Sequence, residues 1–487
     1  MSSMNEPVFD RLRQGVGGQE IASPSPAAGV WSTVREAVRG SSIDYTSAPL
    51  GRAIVMLAVP MVLEMAMESI FAVADVFWVA HLGADAVATV GLTESMMTIV
   101  YTLAMGLSIG ATAIVARRIG ERDREGAARA AVQAIVIGLI VSALMGAVGI
   151  RYGGALLRLM GGSESVVSSG SGFTRVLIGG NATVVLLFLI NAVFRGAGDA
   201  AVAMRVLWIG NAINIGLGPC LIFGLGPFPA LGVKGAAVAT TIGRGTAVAC
   251  QLAVLLSGRG RIGFRVRDLR VDPKVMAAMV RLSGTGTFQI LLTTASYVVL
   301  IRILASFGSA MLAGYTIAIR VIIFGILPSY GVSNAAATMV GQNLGAGQPD
   351  RAERAVWTAA RYNMVLLGVI GCIFVVAAHP IVALFTDDAL AQPFAVTSLR
   401  IVSLGFVFYG CGMTLTQSFN GAGDTWTPTW LNLFCFWIFE IPLAWGLSGP
   451  AGFGPSGVFW AIMAAFSLLA IASAVLFRRG RWKTRVV

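Results

Sequence analysis

Twelve apolar stretches, each long enough to cross a lipid bilayer, constrain the fold of this chain more than any other feature. A membrane-spanning helix needs about 20 apolar residues, and the stretches lie near residues 53–80, 86–116, 130–150, 173–194, 200–225, 232–256, 282–305, 311–340, 356–378, 393–419, 427–447 and 455–477. Only 12% of the 487 residues are charged, whereas soluble domains are about 25% charged. We therefore predict an all-α polytopic membrane protein with twelve transmembrane helices.

The basic residues indicate how the chain is oriented. With the N-terminus placed in the cytoplasm, the cytoplasmic segments hold 27 of the 35 Lys and Arg residues, as expected for loops on that side. The net charge of +12 is then explained by the anionic lipids of the inner leaflet, without a nucleic-acid partner. We predict a monomer in the inner (plasma) membrane with both termini cytoplasmic.

An internal repeat divides the chain into two halves. The sequence FRGAGD at Phe194–Asp199 recurs as FNGAGD at Phe419–Asp424, and the same offset of 225 aligns ATAIVARRIG with AATMVGQNLG. GAGD suits a tight turn between helices, with the aspartate capping the second helix. Because each half has six spans, the two enter the membrane in the same direction, and such parallel repeats commonly enclose a central cavity.

The repeat predicts five segments along the chain. They are a disordered cytoplasmic N-terminal tail at 1–50 with a short helix near 31–39, an N-terminal six-helix lobe at 51–256, a basic cytoplasmic linker at 257–281, a C-terminal six-helix lobe at 282–477 and a basic cytoplasmic tail at 478–487. The five cysteines lie inside apolar stretches and lack the spacing of disulfides or metal sites.

The first span carries three carboxylates, Glu64, Glu68 and Asp75. At 100° per residue they fall within about 40° of one another on the helical wheel. Each would cost about 3 kcal/mol or more if it faced lipid in the ionised form, so the stripe faces the bundle interior or a wet cavity. Two interpretations stay open: a cation or proton site, or acids paired structurally with a neighbouring helix.

The second half lacks this stripe of acids. Gln289, Thr293 and Leu300 stand at the corresponding positions, so any coupling chemistry on the stripe belongs to the N-terminal half. Pro60 is likewise replaced by a threonine, and because a proline permits a kink in a membrane helix, we predict that Pro60 serves as a gate. Elsewhere in the second half, Glu440 is expected to form a structural ion pair with Arg320.

Several features together resemble the multidrug and toxic compound extrusion (MATE) family, over about residues 46–477. They are the two six-span halves, the first-span proline with an aspartate after fourteen intervening residues, the HLG turn, the ATAIVARRIG and VGQNLGAG segments and the twin GAGD turns. The resemblance implies a V-shaped bundle of two lobes. It also implies multidrug efflux: an antiporter that exports organic, often cationic or amphipathic, compounds in exchange for H⁺ or Na⁺.

The resemblance also implies a set of ion-site residues. Asp75 corresponds to the central coupling residue, while Asn214 and a sixth-span threonine, Thr240 or Thr241, correspond to its neighbours at the ion site. Gly218 stands where many members carry a second carboxylate. Other members carry acids in the C-terminal lobe, where the repeat and turn alignment places Thr293 and Tyr409 of this chain.

The identity of the coupling ion stays open. Na⁺ prefers several hard oxygen ligands, which Asp75, Asn214, a threonine hydroxyl and a stripe glutamate could supply, whereas a lone buried carboxylate suits H⁺ because desolvation favours the neutral acid. We predict no other metal and no cofactor. The predicted substrate cavity is lined by adaptable and polar side chains: Met65, Met97, Tyr101, Gln289, Tyr297, Tyr315 and Tyr409.

Two other functions remain as alternatives. A lipid-linked oligosaccharide flippase of the same wider superfamily would share the repeat architecture, but it would favour a basic cavity. A membrane-embedded enzyme is less favoured, since its catalytic cluster should lie near an interface and the two histidines, His81 and His379, are far apart on outer turns. The chain is therefore predicted not to be an enzyme.

Overall fold

The computed structural model describes residues 26–40, 43–258, 260–264 and 270–485. The first half contains α1 (Pro26–Arg39), α2 (Leu50–Ala80), α3 (Ala84–Gly120), α4 (Arg124–Leu159), α5 (Glu164–Gly179), α6 (Ala182–Ala197), α7 (Ala200–Phe223) and α8 (Val233–Ser257). The second half contains α9 (Pro273–Ala305), α10 (Ser309–Gly345), α11 (Pro349–Val376), α12 (Ala378–Ala383), α13 (Gln392–Leu404), α14 (Phe406–Gly421), α15 (Trp426–Asn432), a π-helical segment (Leu433–Glu440), α16 (Ile441–Ser448) and α17 (Pro455–Arg478). A 3₁₀ turn at Arg481–Thr484 follows.

The described helices account for the predicted spans. Eleven are long and apolar enough to cross a membrane, with α5–α6 and α15–α16 counted as one each. The pair α13 and α14, bent by 56° at Gly405, would make the twelfth. The prediction of an all-α polytopic architecture is confirmed.

The predicted boundary between the linker and the C-terminal lobe differs from the structure because of a helix cap. Asp272 Oδ1 accepts hydrogen bonds from the backbone N–H groups of Lys274 and Val275, so α9 starts at Pro273 and includes the last residues of the predicted linker. A proline in the first turn of a helix supports this start. In the predicted disordered tail, α1 is longer than the expected short helix, and residues 1–25 lie outside the described part.

The two repeats share backbone geometry. Helices α3 and α10 are both 37 residues long and each follows a glycine with positive φ. At the GAGD turns, Gly198 and Gly423 have φ of +87° and +83°, a conformation that glycine adopts without strain. Asp424 accepts from the backbone N–H of Thr427 at 3.4 Å and so caps α15 as expected. Asp199 instead accepts from the N–H of Arg261 at 2.9 Å and anchors the linker.

The lobes meet mainly through α2, α3, α9 and α10. The backbones of α2 and α10 approach so closely that a Cβ added at Gly331 would lie 2.6 Å from the backbone nitrogen of Val62. A cluster of buried side chains continues this contact along both helices, with Ile54 and Leu57 on α2 and Val332 and Met339 on α10. The first half of α2 is thus packed against the other lobe.

The segment 43–48 ties both lobes and the linker together at the end of the bundle where the described chain begins and ends, here called the termini face. Tyr45 donates a hydrogen bond to the Gly198 carbonyl at 3.1 Å, and the Arg261 guanidinium lies 4.8 Å from its ring. Burial raises the pKa of the Tyr45 phenol to about 12. Arg351 of α11 donates to the carbonyls of Tyr45 and Ala48.

Candidate functional site

The first acid of the stripe, Glu64, is bound by α6 through one carboxylate oxygen, while its buried Oε2 has no hydrogen-bond partner among the described residues. Its side chain is 2% exposed, and Oε1 accepts from Arg195 Nη1 at 2.8 Å and from Asn191 Nδ2 at 2.9 Å. Gln251 of α8 donates in turn to Asn191 Oδ1. A carboxylate buried this deeply needs a paired cation and hydrogen bonds to be tolerated, and this network supplies both.

The second acid, Glu68, is paired with an arginine inside the lobe. Arg244 of α8 is 3% exposed and donates from Nη2 to Glu68 Oε1 at 2.9 Å, while Asn211 Nδ2 donates to Oε2 at 3.3 Å. The guanidinium also lies 5.2 Å from the Phe71 ring and 5.9 Å from the Tyr101 ring. Aromatic faces stabilise a buried guanidinium of this kind. Both glutamates are therefore paired with an arginine of a neighbouring helix, as the structural interpretation of the stripe predicts.

Asp75 differs from the two glutamates. In the part of the chain that the structure describes, its carboxylate has no hydrogen bond and no ion pair, although Glu94 of α3 and Arg244 lie within electrostatic range. Asp75 is half-buried near the far end of α2 from the termini face. It is the stripe acid that remains free to bind a cation or a proton.

The other residues of the predicted ion site lie partly together. Asn214 Nδ2 donates to Thr240 Oγ1 at 2.9 Å, and that hydroxyl donates to the Ala236 carbonyl at 3.0 Å. A Cβ at Gly218 would meet the Trp78 indole at 3.9 Å, so an aromatic edge faces the place of the absent carboxylate. Within the described residues, no three His, Cys, Asp or Glu side chains are grouped as a metal site.

A cavity of about 550 Å³ lies between the two lobes. Its walls come from α2, α3 and α6 on one side and from α9, α10 and α14 on the other, and Met65, Gln289 and Tyr409 of the predicted set line it. Glu64, Glu68 and Arg195 also line it. The cavity wall in the N-terminal lobe therefore carries paired rather than free carboxylates.

Four predicted substrate residues lie elsewhere, and their placement in the cavity wall is corrected. Met97 and Tyr315 are each 1% exposed and pack in the cores of their lobes, Tyr315 against Phe459. The ring of Tyr297 lies 6.3 Å from that of Tyr315. Tyr101 contacts Phe188 and the Arg244 guanidinium. These side chains fill gaps between helices. Their spacing in the sequence could not distinguish such a position from one in the wall of a cavity.

The expected ion pair between Glu440 and Arg320 is also wrong. Glu440 is 3% exposed, whereas Arg320 is exposed, and no ion pair joins these two described residues. Arg320 of α10 lies instead within electrostatic range of Glu94 and Tyr297.

Sequence reasoning missed Arg195, Arg244, Asn191 and Asn211 as partners of the stripe. Arg244 had a usable signal, because a charged residue in the middle of an apolar span requires a partner. The others had none, since the partners lie more than a hundred residues away along the chain.

Pro60 lies within a continuous α2 and is buried. It is two residues before Val62, whose backbone faces Gly331 of α10. The predicted gate residue is therefore next to the contact between the lobes, where a change in the curvature of α2 would be transmitted.

Comparisons with known proteins agree with this architecture. The chain is similar to a protein named probable multidrug resistance protein NorM from Thermotoga maritima, at 24% identity over 89% of this chain and 93% of the relative. It is also 24% identical to a protein named FAD transporter from Shewanella oneidensis, over 89% of this chain and 95% of the relative. A crystal structure of a MATE protein in the bent conformation superposes with a TM-score of 0.82 at 25% identity, covering 92% of this chain and 97% of the other.

The matching solved structures support a V-shaped bundle of two lobes. The sequence profile named MatE matches residues 60–220 and 287–445, one block in each lobe. These blocks include Asp75 and Asn214 in the first lobe and the cavity residues Gln289 and Tyr409 in the second. The chain is a multi-pass membrane protein and belongs to the MatE (MATE) family.

Proposed function

We propose that this protein is a secondary active antiporter that exports small organic compounds in exchange for H⁺ or Na⁺ and is coupled through Asp75. The observation that carries the proposal is the difference among the three stripe acids. Glu64 and Glu68 each have an arginine at 2.8–2.9 Å, whereas Asp75 has no such partner among the described residues. An acid without a fixed counter-charge is the one that gains most from binding a cation or a proton.

The proposed mechanism uses α2 to link ion binding to the lobe contact. Asp75 is ionised when the site opens outward and binds H⁺ or Na⁺ there. Neutralisation changes the packing of α2, which bends at Pro60 beside the Val62–Gly331 contact. Rocking of the lobes then exposes the cavity to the other side, as parallel repeats can do around a fixed site. Asn214 and Thr240 would contribute oxygen ligands if the ion is Na⁺.

The proposed substrate is amphipathic and carries at most one positive charge. The carboxylates of the cavity wall are neutralised by Arg195 and Arg244, so the wall lacks the excess negative charge that a multiply charged cation would need. Met65 and Tyr409 offer adaptable and aromatic contacts. A lipid-linked oligosaccharide is disfavoured, because the Arg195 guanidinium that would bind its phosphates is held by Glu64.

A flavin nucleotide is the second candidate substrate. One relative is named FAD transporter, and the cavity lining includes the aromatic rings of Phe188 and Tyr330, against which a flavin ring would stack. We further propose the plasma membrane as the location, with a monomeric protein and both termini in the cytoplasm. That orientation is supported by the distribution of basic residues.

The test is transport by the purified protein in liposomes under separate pH and Na⁺ gradients. A cationic dye, a neutral amphipathic dye and a flavin nucleotide would each be offered as substrate. We expect Asp75→Asn to lose gradient-driven transport by about tenfold or more, because it removes the charge whose neutralisation drives the cycle. The matched control is Asp85→Asn, an exposed acid at the start of α3, which should transport normally. Normal gradient-driven transport by Asp75→Asn at equal reconstitution would refute the proposal.

A further inference from the structure

Glu440 is a buried acid that the proposed mechanism does not use. It ends the π-helical segment Leu433–Glu440 in the C-terminal lobe and is 3% exposed. In the described part of the molecule its carboxylate has neither a hydrogen bond nor an ion pair. The glutamates of α2, in contrast, each have an arginine within 3 Å.

The surroundings of Glu440 offer no positive charge. Tyr315 of α10 and Tyr409 of α14 lie within electrostatic range, together with Cys435 on the same span. Across the middle of α9 the titratable residue is Tyr297, and α17 has none before Arg478. An isolated carboxylate in an apolar interior is far more costly when ionised than when neutral. The environment therefore selects the protonated acid.

The backbone around Glu440 is adjustable. Short π-helical segments are uncommon and occur frequently at functional sites. Pro442, two residues later, has no N–H to donate to the carbonyl of Ile438. The carboxylate is thus carried by a stretch in which regular α-helical hydrogen bonding is interrupted, so a small change in helix geometry can move it.

The repeat gives Glu440 a counterpart in the first lobe. Trp208 of α7 donates to the Leu63 carbonyl at 3.1 Å, and Trp437 donates to the Leu292 carbonyl at 2.9 Å, each across 145 residues of sequence. When these two tryptophans are aligned, at an offset of 229 residues, Glu440 corresponds to Asn211. Asn211 binds the Glu68 carboxylate in its own lobe. The second lobe therefore carries its acid on the helix that corresponds to α7.

We propose that Glu440 is a proton-binding site of the C-terminal lobe that takes part in transport. The protein then has one acid without a basic partner in each lobe, Asp75 and Glu440. Tyr409 lines the cavity and is also close to Glu440, so opening of the cavity alters solvent access near the acid. The involvement in transport rests on the proposed antiport, whereas the proton site itself does not.

Labelling with dicyclohexylcarbodiimide tests the proton site in the wild-type protein. The reagent adds to a protonated carboxyl group in apolar surroundings; the acid proton moves to nitrogen and an N-acylurea remains for detection by mass spectrometry. In full-length protein in lipid nanodiscs, we expect labelling of Glu440 near neutral pH that declines as the pH is raised. Asp387, an exposed acid of the same lobe, serves as the internal control and should stay unlabelled because it lies outside apolar surroundings. Absence of labelling at Glu440 across the pH range would overturn the proposal.

Proton release tests the role in transport. Adding substrate to weakly buffered protein with a pH indicator should release about half as many protons from Glu440→Gln as from the wild type, because one of two proton sites is lost. Asp387→Asn, an exposed acid of the same lobe, is the matched control and should release the wild-type amount. Unchanged release from Glu440→Gln would overturn the proposal.

These outcomes are distinguishable from failure of the proposed antiport. If no gradient drives transport by the wild type, the antiport proposal fails, while the labelling still decides whether Glu440 is a proton site. If Asp75→Asn abolishes transport and Glu440→Gln releases the wild-type number of protons, the antiport stands and the second site is refuted. A poorly folded Glu440→Gln would be recognised by size-exclusion chromatography, and the wild-type labelling would then decide.

Discussion

Replacing Arg195 by methionine should be among the most destabilising single substitutions in the N-terminal lobe. The change leaves the Glu64 carboxylate, which is 2% exposed, without the guanidinium that now lies 2.8 Å away. Methionine preserves most of the volume, so the loss is electrostatic rather than a packing defect. The substitution therefore measures how much the ion pair contributes to the free energy of unfolding.

The magnitude follows from the geometry of the pair. Removing one partner of a buried ion pair typically costs about 3–5 kcal/mol, because the other charge stays buried. The hydrogen bond from Asn191 remains at 2.9 Å, which places the expected cost near the lower end, about 3 kcal/mol. The double variant Glu64→Gln/Arg195→Met removes both charges and should cost only about 1 kcal/mol, since replacing both partners by neutral groups is often nearly neutral.

The assay is reversible unfolding in mixed micelles, in which the free energy of unfolding is measured for the wild type, both single variants and the double variant. Arg302→Met, at an exposed position on α9, is the control and should change the free energy by no more than about 0.5 kcal/mol. Transport by the double variant answers the question left open by the sequence. If Glu64 is structural, the double variant should transport at the wild-type rate.

Two results would contradict this reasoning. A cost below about 1 kcal/mol for Arg195→Met would mean that the pair is not stabilising the lobe. A double variant that is stable but inactive would mean that Glu64 or Arg195, which both line the cavity, has a direct part in transport.

Three further predictions concern packing and the termini face. Asn363→Leu should cost about 1–3 kcal/mol of unfolding free energy, because the buried amide donates to Thr414 Oγ1 at 2.9 Å and to neighbouring acceptors that would be left unpaired. Gly331→Ala should cost a similar amount by forcing α2 and α10 apart, whereas Gly446→Ala, which meets no atom within 4 Å, should not. The pKa of Tyr45 is raised to about 12, so docking of its neutral phenol is fully stabilising below pH 10 and is lost as the pH rises through about 12. Hydrogen exchange of segment 43–48 should therefore increase over that pH range in the wild type. In Tyr45→Phe the exchange should be increased already at neutral pH.

The large-scale architecture could be predicted because its signals are local or periodic. Apolar length gives the spans, the offset of 225 gives two lobes, and the glycines of GAGD specify the turns at Gly198 and Gly423. The end of the linker also has a local signal, since Asp272 and Pro273 together form a helix start.

The partners of the acids could not be predicted in the same way. Glu64 and Arg195 are 131 residues apart, and Glu68 and Arg244 are 176 apart. Pairing depends on how far each helix is shifted and rotated against its neighbour, and a one-turn shift of α2 would bring Glu68 to the place of Glu64. The π-helical geometry before Glu440 also depends on helix packing. No residue type in that stretch predicts a π-helix by itself.

The fastening of segment 43–48 has a consequence for speed. Tyr45 holds the turn of the first repeat, while Arg351 of the second repeat holds the backbone of the same segment. Segment 43–48 must release one lobe before the two lobes can separate at the termini face. Undocking of the segment therefore precedes every opening of the cavity at that face. The undocked segment contacts neither the ion nor the substrate. The free energy of undocking therefore lowers the turnover number by the same factor for every substrate. Changes in this segment should therefore alter how often the transporter cycles without altering which compounds it carries.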